Sequence, residues 1–519
     1  MNLTTSLVVA PLVAAFLVLM VPGNFRVVTR GIALLGGLVT LLLGVAVFVR
    51  FDPSGPQYQM ESLVPWVSSS SFRLGLHLGV DGVGASMLLV TALVGFSAIA
   101  VSWNIERQSK LFYILLLVML GGALGTFASL DLFFFYFFNE LALVPTFIMI
   151  GVWGTGEDKD YAAFKITLYL TAGALVALAG LIGLYTLSGA SSLDLVELQR
   201  HLAKTPLSPS VQAFLFPCLL LGFGTLVGLW PFHSWAPQGY GCAPSATAMM
   251  HAGILKKAGL LALLRVALPL MPQGVERWMP VLALLCVGNL LWCGFTAMRQ
   301  RDLNLLVGHS SLAHMGFAFL GIASVSVVGL TGTVLVMVSH ALLAALSFAV
   351  TGWLRHHVGT LDMDKMGGLL RRMPFIGTVM VMCFMAGCGL PGFGNFAGEA
   401  TVMFGAWKSA PWIVVIAAWG GLIIGGVYML RSIRSVLHGA LPEEWGAVSD
   451  AAGAWRRLPF ALMAGGLLFL GVFPSTVTRR VQPALAKVVE QARPAAAKAA
   501  ATGAGLVNSP KLAGTPGDR

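Results

Sequence analysis

Six ionisable residues stand where an apolar chain can least afford them: Glu140, Lys256, Lys257, His314, His340 and Glu399. Glu140 sits in FFNELALVPTFIMIGVWG, with apolar residues on both flanks. A carboxylate there must be protonated, paired or bathed in water, and one poised between burial and a nearby cation exchanges a proton when its partner moves. Lys257, in MMHAGILKKAGLLALL, is mid-segment, too deep to reach an interface, and a desolvated lysine can release its proton reversibly. Lys256 is one residue, about 100°, around the same helix, so the two amines cannot face one partner. His314 (SSLAHMGF) and His340 (VMVSHALLAALSF) follow in consecutive apolar stretches. Imidazole titrates near neutrality and has two nitrogens, which suits a relay between basic and acidic groups. The structural alternatives are a bundle-gluing carboxylate, hydrogen-bonded packing histidines and, at Glu399, an acid capping a kink. His309 lies nearer a helix start, His356 and His357 read as surface, and Lys165 can extend to the interface.

Two helix breaks must position these groups. The first is at Trp230–Pro231, followed by His233, and the second is Gly389-Leu-Pro-Gly-Phe-Gly-Asn395, containing Pro391 and Gly394. Asn395 is expected to satisfy backbone groups freed there. Interrupted helices are tolerated in lipid only where protein or a water-filled cavity surrounds them. Broken helices at corresponding places in two halves are the usual pointer to a transport path in repeat-built carriers.

Composition sets the frame. Of 519 residues, 57% are hydrophobic and 10% charged. A soluble domain carries about a quarter charged residues, so an all-α polytopic membrane protein is expected. Runs of spanning length fall at 3–21, 31–49, 80–103, 111–129, 131–152, 162–188, 212–230, 243–270, 278–298, 304–324, 326–354, 374–408, 411–437 and 458–475. That makes about 14 helices. Residues 51–77 read as a polar surface loop, SSLDLVELQRHL as a short interfacial helix, and 482–501 as an Ala-rich helix before a disordered end.

The net charge of +11 is scattered over loops and tail, which fits membrane topology better than nucleic acid. Arg26, Arg30, Arg107, Lys110, Lys159, Arg299, Arg301, Arg355, Arg371 and Arg431 load the odd-numbered connections. Those connections are therefore assigned to the cytoplasm and both termini to the outside. The basic tail (Arg479, Arg480, Lys487, Lys498, Lys511) runs against this assignment. Six cysteines without a C-x-x-C pair argue for packing, not for disulfides or zinc. No phosphate-binding lysine loop, dinucleotide glycine fingerprint, haem motif or iron–sulfur spacing is present. No cofactor is expected in this chain, and proton movement must then be driven by a partner.

FNELALVP, PFHSWAP, AGILKK-x-G, SSLAHMGF, MGGL and LPGFGNFAGE resemble the antiporter-like subunits of proton-pumping NADH:quinone oxidoreductase (respiratory complex I), specifically the subunit M (subunit 4) family. The resemblance covers about 80 to 475. It implies two inverted five-helix repeats, placed at 104–270 and 271–437. They follow an N-terminal three-helix region, 1–103, and precede a C-terminal helix region, 438–476, and a tail, 477–519. It implies a midplane proton path through Glu140, Lys257, His314, His340 and Glu399, sister membrane-arm subunits as partners, and a multi-pass location in a bacterial inner membrane. Multisubunit cation/proton antiporters and membrane-bound hydrogenases share weaker versions of these motifs. One departure stands out: Leu226 occupies the position where the family keeps a lysine, seven residues before His233. This raises three options: replacement by Lys256 or His251, a first half that works differently, or a subunit whose pumping is impaired.

Overall fold

Asp81, Asp131, Asp194, Ser208, Asp302 and Ser326 cap the starts of their helices with their side chains, and Gly154, Gly189, Gly228 and Gly359 follow the ends of others. The computed structural model describes residues 2–69, 72–446 and 448–493. Its elements are α1 (Leu3–Met20), α2 (Arg26–Arg50), the strands β1 (Gln59–Ser68) and β2 (Arg73–Val80), α3 (Gly82–Val101), α4 (Ser109–Ala128), α5 (Leu132–Trp153), α6 (Lys159–Ser188) and α7 (Leu195–Lys204). Next come α8 (Pro209–Val227), α9 (Trp235–Cys242), α10 (Ser245–Met250), α11 (Lys257–Ala262), α12 (Leu268–Leu270), α13 (Pro272–Val287), α14 (Gly294–Arg299), α15 (Leu303–Ala323) and α16 (Val327–Val358). The chain closes with α17 (Pro374–Gly387), α18 (Gly394–Ala406), α19 (Pro411–Ala417), α20 (Gly425–Leu437), α21 (Gly453–Val472) and α22 (Ser475–Ala492). Asp81, Asp131, Asp194 and Asp302 each accept a backbone N–H in the first turn of the helix they precede.

Among the described residues, twelve helices are long and apolar enough to cross a membrane. The two other expected spans are the segment α10–α12 and the broken pair α17/α18, neither of which is one uninterrupted α-helix. The protein is a multi-pass, all-α membrane protein. The hydrophobic window of α16 is wholly buried, so this helix is the axis of the bundle. Phe16, Leu35, Phe164 and Trp412 are exposed by more than half, a lining suited to lipid and not to water.

Four stretches wind as π-helix: His251–Leu255, Leu263–Ala267, Gly288–Cys293 and Ala418–Ile424. Each π turn inserts a residue into the α-helical register and so re-aims the side chains beyond it. The first three carry His251, Arg265 and Asn289, all buried.

Two expectations outside the bundle are corrected. Residues 59–68 and 73–80 are not plain loop but a pair of antiparallel strands, with register shifts between Gln59 and Ser62 and between Pro65 and Val67. Those irregularities break the two-residue alternation by which a strand is recognised. The last helix starts at Ser475, not 482, and is followed to Ala492. Pro474 and the apolar contacts of Val477 and Val481 set its start. The remainder of the expected helix, the expected disordered end, Lys498 and Lys511 lie outside the described residues.

α7 forms where the interfacial helix is expected, capped by Asp194. It holds the hairpin: Asp194 pairs with the His77 Nδ1, Glu61 lies 3.0 Å from its Nε2, and Arg73 pairs with Glu197 at 2.8 Å. Burial opposes charging His77, but the two carboxylates outweigh it and hold its pKa above the ordinary imidazole value. Deeper in, Arg265 binds both carboxylate oxygens of Asp81, at 2.6 and 3.1 Å, and donates to the Phe127 carbonyl at 3.0 Å. This tie locks the N-terminal helices to the segment that carries the lysines.

Candidate functional site

Both helix breaks close in the same way. After α8, Leu229 N–H donates to Gly224 O (2.7 Å) and Gly228 N–H to Thr225 O (3.1 Å). After α17, Leu390 N–H donates to Met385 O (3.2 Å) and Gly389 N–H to Ala386 O (3.1 Å). These are paired Schellman closures, and they need a left-handed residue at the C′ position. Gly228 (φ 90°) and Gly389 (φ 68°) supply it without a Cβ penalty.

The first break is further satisfied by Asn289, which accepts from Trp230 N–H (2.8 Å) and donates to Gly228 O (2.8 Å) and Leu312 O (3.2 Å). Trp235 Nε1 donates to Thr225 O, and His233 Nδ1 lies 3.2 Å from Pro231 O. At the second break the expectation for Asn395 fails. The backbone closes itself, and the fully buried Asn395 amide has no partner among the described residues. Gly394 lies against Ser339, one residue from His340. Pro391 is exposed at the mouth of the break.

Between the breaks lies the charged line. Lys257 and Lys256 are fully buried, and His340, His314 and Glu399 are nearly so. Lys257 Nζ is 2.9 Å from His340 Nδ1 and donates to Ala252 O at 2.6 Å. The His340 and His314 rings stand 5.5 Å apart between centroids. His314 Nδ1 is 2.7 Å from Glu399 Oε1, while its Nε2 has no partner among the described residues. From Lys257 on α11 through α16 and α15 to α18, each group is thus within a hydrogen bond or a ring contact of the next.

Lys256 takes another direction. Its Nζ donates to Ser311 O (3.1 Å) and Ser311 Oγ (2.5 Å) on α15, one turn before His314. The neighbouring Ser310 accepts from Tyr428 OH at 3.0 Å. Ser310, Ser311 and Tyr428 escape a reading by charge, because serine and tyrosine in apolar helices are common. Asn289, a lone amide within an apolar run, was the more legible signal.

Glu140 stands apart. It is half-buried on α5, makes no ion pair among the described residues, and its Oε1 is unpartnered. Leu226 is buried beside Asn139 and Tyr136 in the same small cavity. Lys256 and His251 turn elsewhere: His251 Nδ1 is 3.1 Å from Tyr240 OH. Neither fills the place of the absent lysine in this structure. The π turn under Lys256 aims its stem at α15. Lys165 donates to Gln238 at 2.8 Å near the start of α6. His309 is half-buried, His356 is exposed, and His357 is half-buried against the Trp353 ring.

Two self-closing broken helices around a buried lysine–histidine–glutamate line define a polytopic membrane protein of the antiporter-like type. The chain belongs to the NADH:quinone oxidoreductase/Mrp antiporter transmembrane family, whose model matches residues 129–425. It is 35% identical to NADH-quinone oxidoreductase subunit M of Pseudomonas aeruginosa, over 91% of this chain and 94% of that one. It is 31% identical to the Rhodobacter capsulatus protein of the same name, over 94% and 96%. Among solved structures it superimposes on a chain of respiratory complex I from Thermus thermophilus with a TM-score of 0.85 and 28% identity, covering 95% of this chain and all of the other. A chain of the Mrp complex from Dietzia, 16% identical with a TM-score of 0.79, shares the fold.

Proposed function

We propose that this chain is a proton-translocating membrane-arm subunit of a complex-I-type NADH:quinone oxidoreductase. The observation that carries the reading is the contiguous line Lys257–His340–His314–Glu399, laid between two broken helices in the bundle core. The full-length similarity to proteins named subunit M supports it. Redox chemistry is assigned to partner subunits, with no cofactor expected in this chain, and its neighbours are antiporter-like sister subunits in a bacterial inner membrane. The odd-numbered connections face the cytoplasm.

Charged Lys257 passes a proton to His340 Nδ1, and the ring releases the proton on its other nitrogen. His314 takes it up at Nε2, gives its Nδ1 proton to the Glu399 carboxylate, and Glu399 releases it as the pairing resets. Glu140 stands at the edge of the first half, where a neighbouring subunit can bias the lysine pair electrostatically. Lys256, held by Ser311, is a second buried amine beside this line and separate from it.

Glu399→Gln and Lys257→Met in the purified, reconstituted complex test the reading. Both are expected to lower protons moved per electron, and an unchanged ratio in both sinks it. The Mrp likeness favours a second reading, a cation/proton antiporter subunit without redox partners. Co-purification with flavoprotein and iron–sulfur subunits separates the two.

A further inference from the structure

A groove of about 360 Å³ opens on the surface where the end of α1 and the turn into α2 meet the start of α4. Its lining changes character with depth. At the helix ends it holds two cations and an acid, Arg26, Lys110 and Glu106. Toward the bilayer it holds Leu19, Leu111 and Ile114, the last about 7 Å deeper than Ser109 at the α-helical rise. Leu19 and Leu111 are exposed by 50% and 41%, and the nearby Met20, Phe25 and Val27 are more exposed still. An apolar surface beside basic helix ends belongs at the membrane boundary, so the groove runs from headgroup level into the acyl region.

One wall of the groove is the connection between α3 and α4, and it is held from both sides. Arg30 donates to Ile105 O at 2.9 Å and stands over the Trp103 ring, 5.7 Å from its centroid. Trp153 Nε1 donates to Arg107 O at 2.7 Å. Arg30 is thus committed to the protein. Arg26, Lys110 and Glu106 form no ion pair among the described residues, and Glu106 meets neither cation although all three line one groove. Charges of both signs kept apart on a fixed wall match a ligand that carries both signs itself. Two cations suit a phosphate, and a carboxylate beside them suits an ammonium that can donate a charge-assisted hydrogen bond. A purely anionic headgroup would meet repulsion from Glu106, and a quaternary ammonium has no N–H to give it.

We propose that this groove binds a phosphatidylethanolamine molecule, in the leaflet on the side of the odd-numbered connections. Arg26 and Lys110 hold its phosphate, Glu106 accepts from its ammonium, and Leu19, Leu111 and Ile114 flank the start of one acyl chain. The bound lipid ties the α1–α2 turn to the start of α4 at the rim of the bundle. None of the residues of the buried proton line takes part, so the site stands or falls independently of proton translocation.

The test photolabels the assembled complex in vesicles of mixed phosphatidylethanolamine and phosphatidylglycerol. Three probes are compared, with ethanolamine, glycerol or choline headgroups, each carrying a diazirine near the top of one acyl chain. Mass spectrometry is expected to find the ethanolamine probe on the peptide holding Leu111 and Ile114, at about threefold or more the yield of the other two, the worth of one exposed ion pair. This comparison uses the unaltered complex and needs no substitution. Arg26→Gln combined with Lys110→Gln is expected to lower the ethanolamine yield by about tenfold or more, given the attraction of each basic residue near a membrane surface. Glu106→Gln is expected to keep the labelling but erase the preference for ethanolamine over glycerol. Equal labelling by the three probes in the unaltered complex overturns the proposal, as does labelling that the two cation substitutions leave unchanged. A cryo-EM map in which a neighbouring subunit fills the groove overturns it as well.

Discussion

Lys256 and Lys257 are consecutive and equally buried, yet their amines end on different helices: Lys256 on Ser311 of α15 and Lys257 on His340 of α16. Buried charges survive where hydrogen bonds replace water. Each amine has found two acceptors, at least one of them a backbone carbonyl or hydroxyl that cannot be charged. The pair therefore behaves as two sites, not one shared site.

Separate partners make the two lysines separable by mutation. Lys257→Met is expected to uncouple His340 from the line and lower pumping by tenfold or more, a barrier of roughly 1.4 kcal/mol. Lys257→Gln restores a donor but no transferable charge and is expected not to rescue. Proton uptake by proteoliposomes, with quinone reduction followed in parallel, makes the measurement.

The buried ion pair of Arg265 and Asp81 predicts a stability effect without a transport step. Asp81→Asn leaves the guanidinium uncompensated, at an expected cost of about 3–5 kcal/mol. Thermal unfolding of the detergent-solubilised complex, or its yield after assembly, should fall. Replacing both residues with apolar ones of similar size is expected to recover much of the loss.

Asn289 stitches the first helix break to α15. Asn289→Leu strands Trp230 N–H and the Gly228 and Leu312 carbonyls, at about 1–3 kcal/mol for each group left without a partner. Hydrogen exchange at residues 228–235 is expected to quicken while exchange in α16 is unchanged.

His77 gives the hairpin a pH dependence. Its folded pKa is raised by Asp194 and Glu61, so the stabilisation is fully present below the unfolded value of about 6.5 and is lost as pH rises through the folded one. Hydrogen exchange in β2 and at the start of α7 should therefore accelerate on going from mildly acid to alkaline pH. The His77→Gln protein should show a flat profile over the same range.

Much of the architecture was legible beforehand. Spanning helices follow from apolar length, because a bilayer admits only segments that satisfy their own backbone. Both breaks follow from proline and glycine, whose backbone limits act locally. The six ionisable residues announced themselves by their cost in an apolar setting. The hairpin was missed because register shifts disturb its alternation, and the role expected of Asn395 failed because the Schellman turn had already used the freed carbonyls.

What the sequence determined by itself was thus the membrane class, the two interruptions and the identity of the buried charges, each a consequence of chemistry within a few residues. Only the tertiary structure decided who meets whom. The π turns re-aim Lys256, Arg265 and Asn289, and their partners Ser311, Asp81 and Gly228 lie 55, 184 and 61 residues away. It also separated Glu140 from both lysines. A hydrogen bond needs a donor and an acceptor about 3 Å apart, and that distance is set by how helices distant in sequence pack together, not by the order in which they are written.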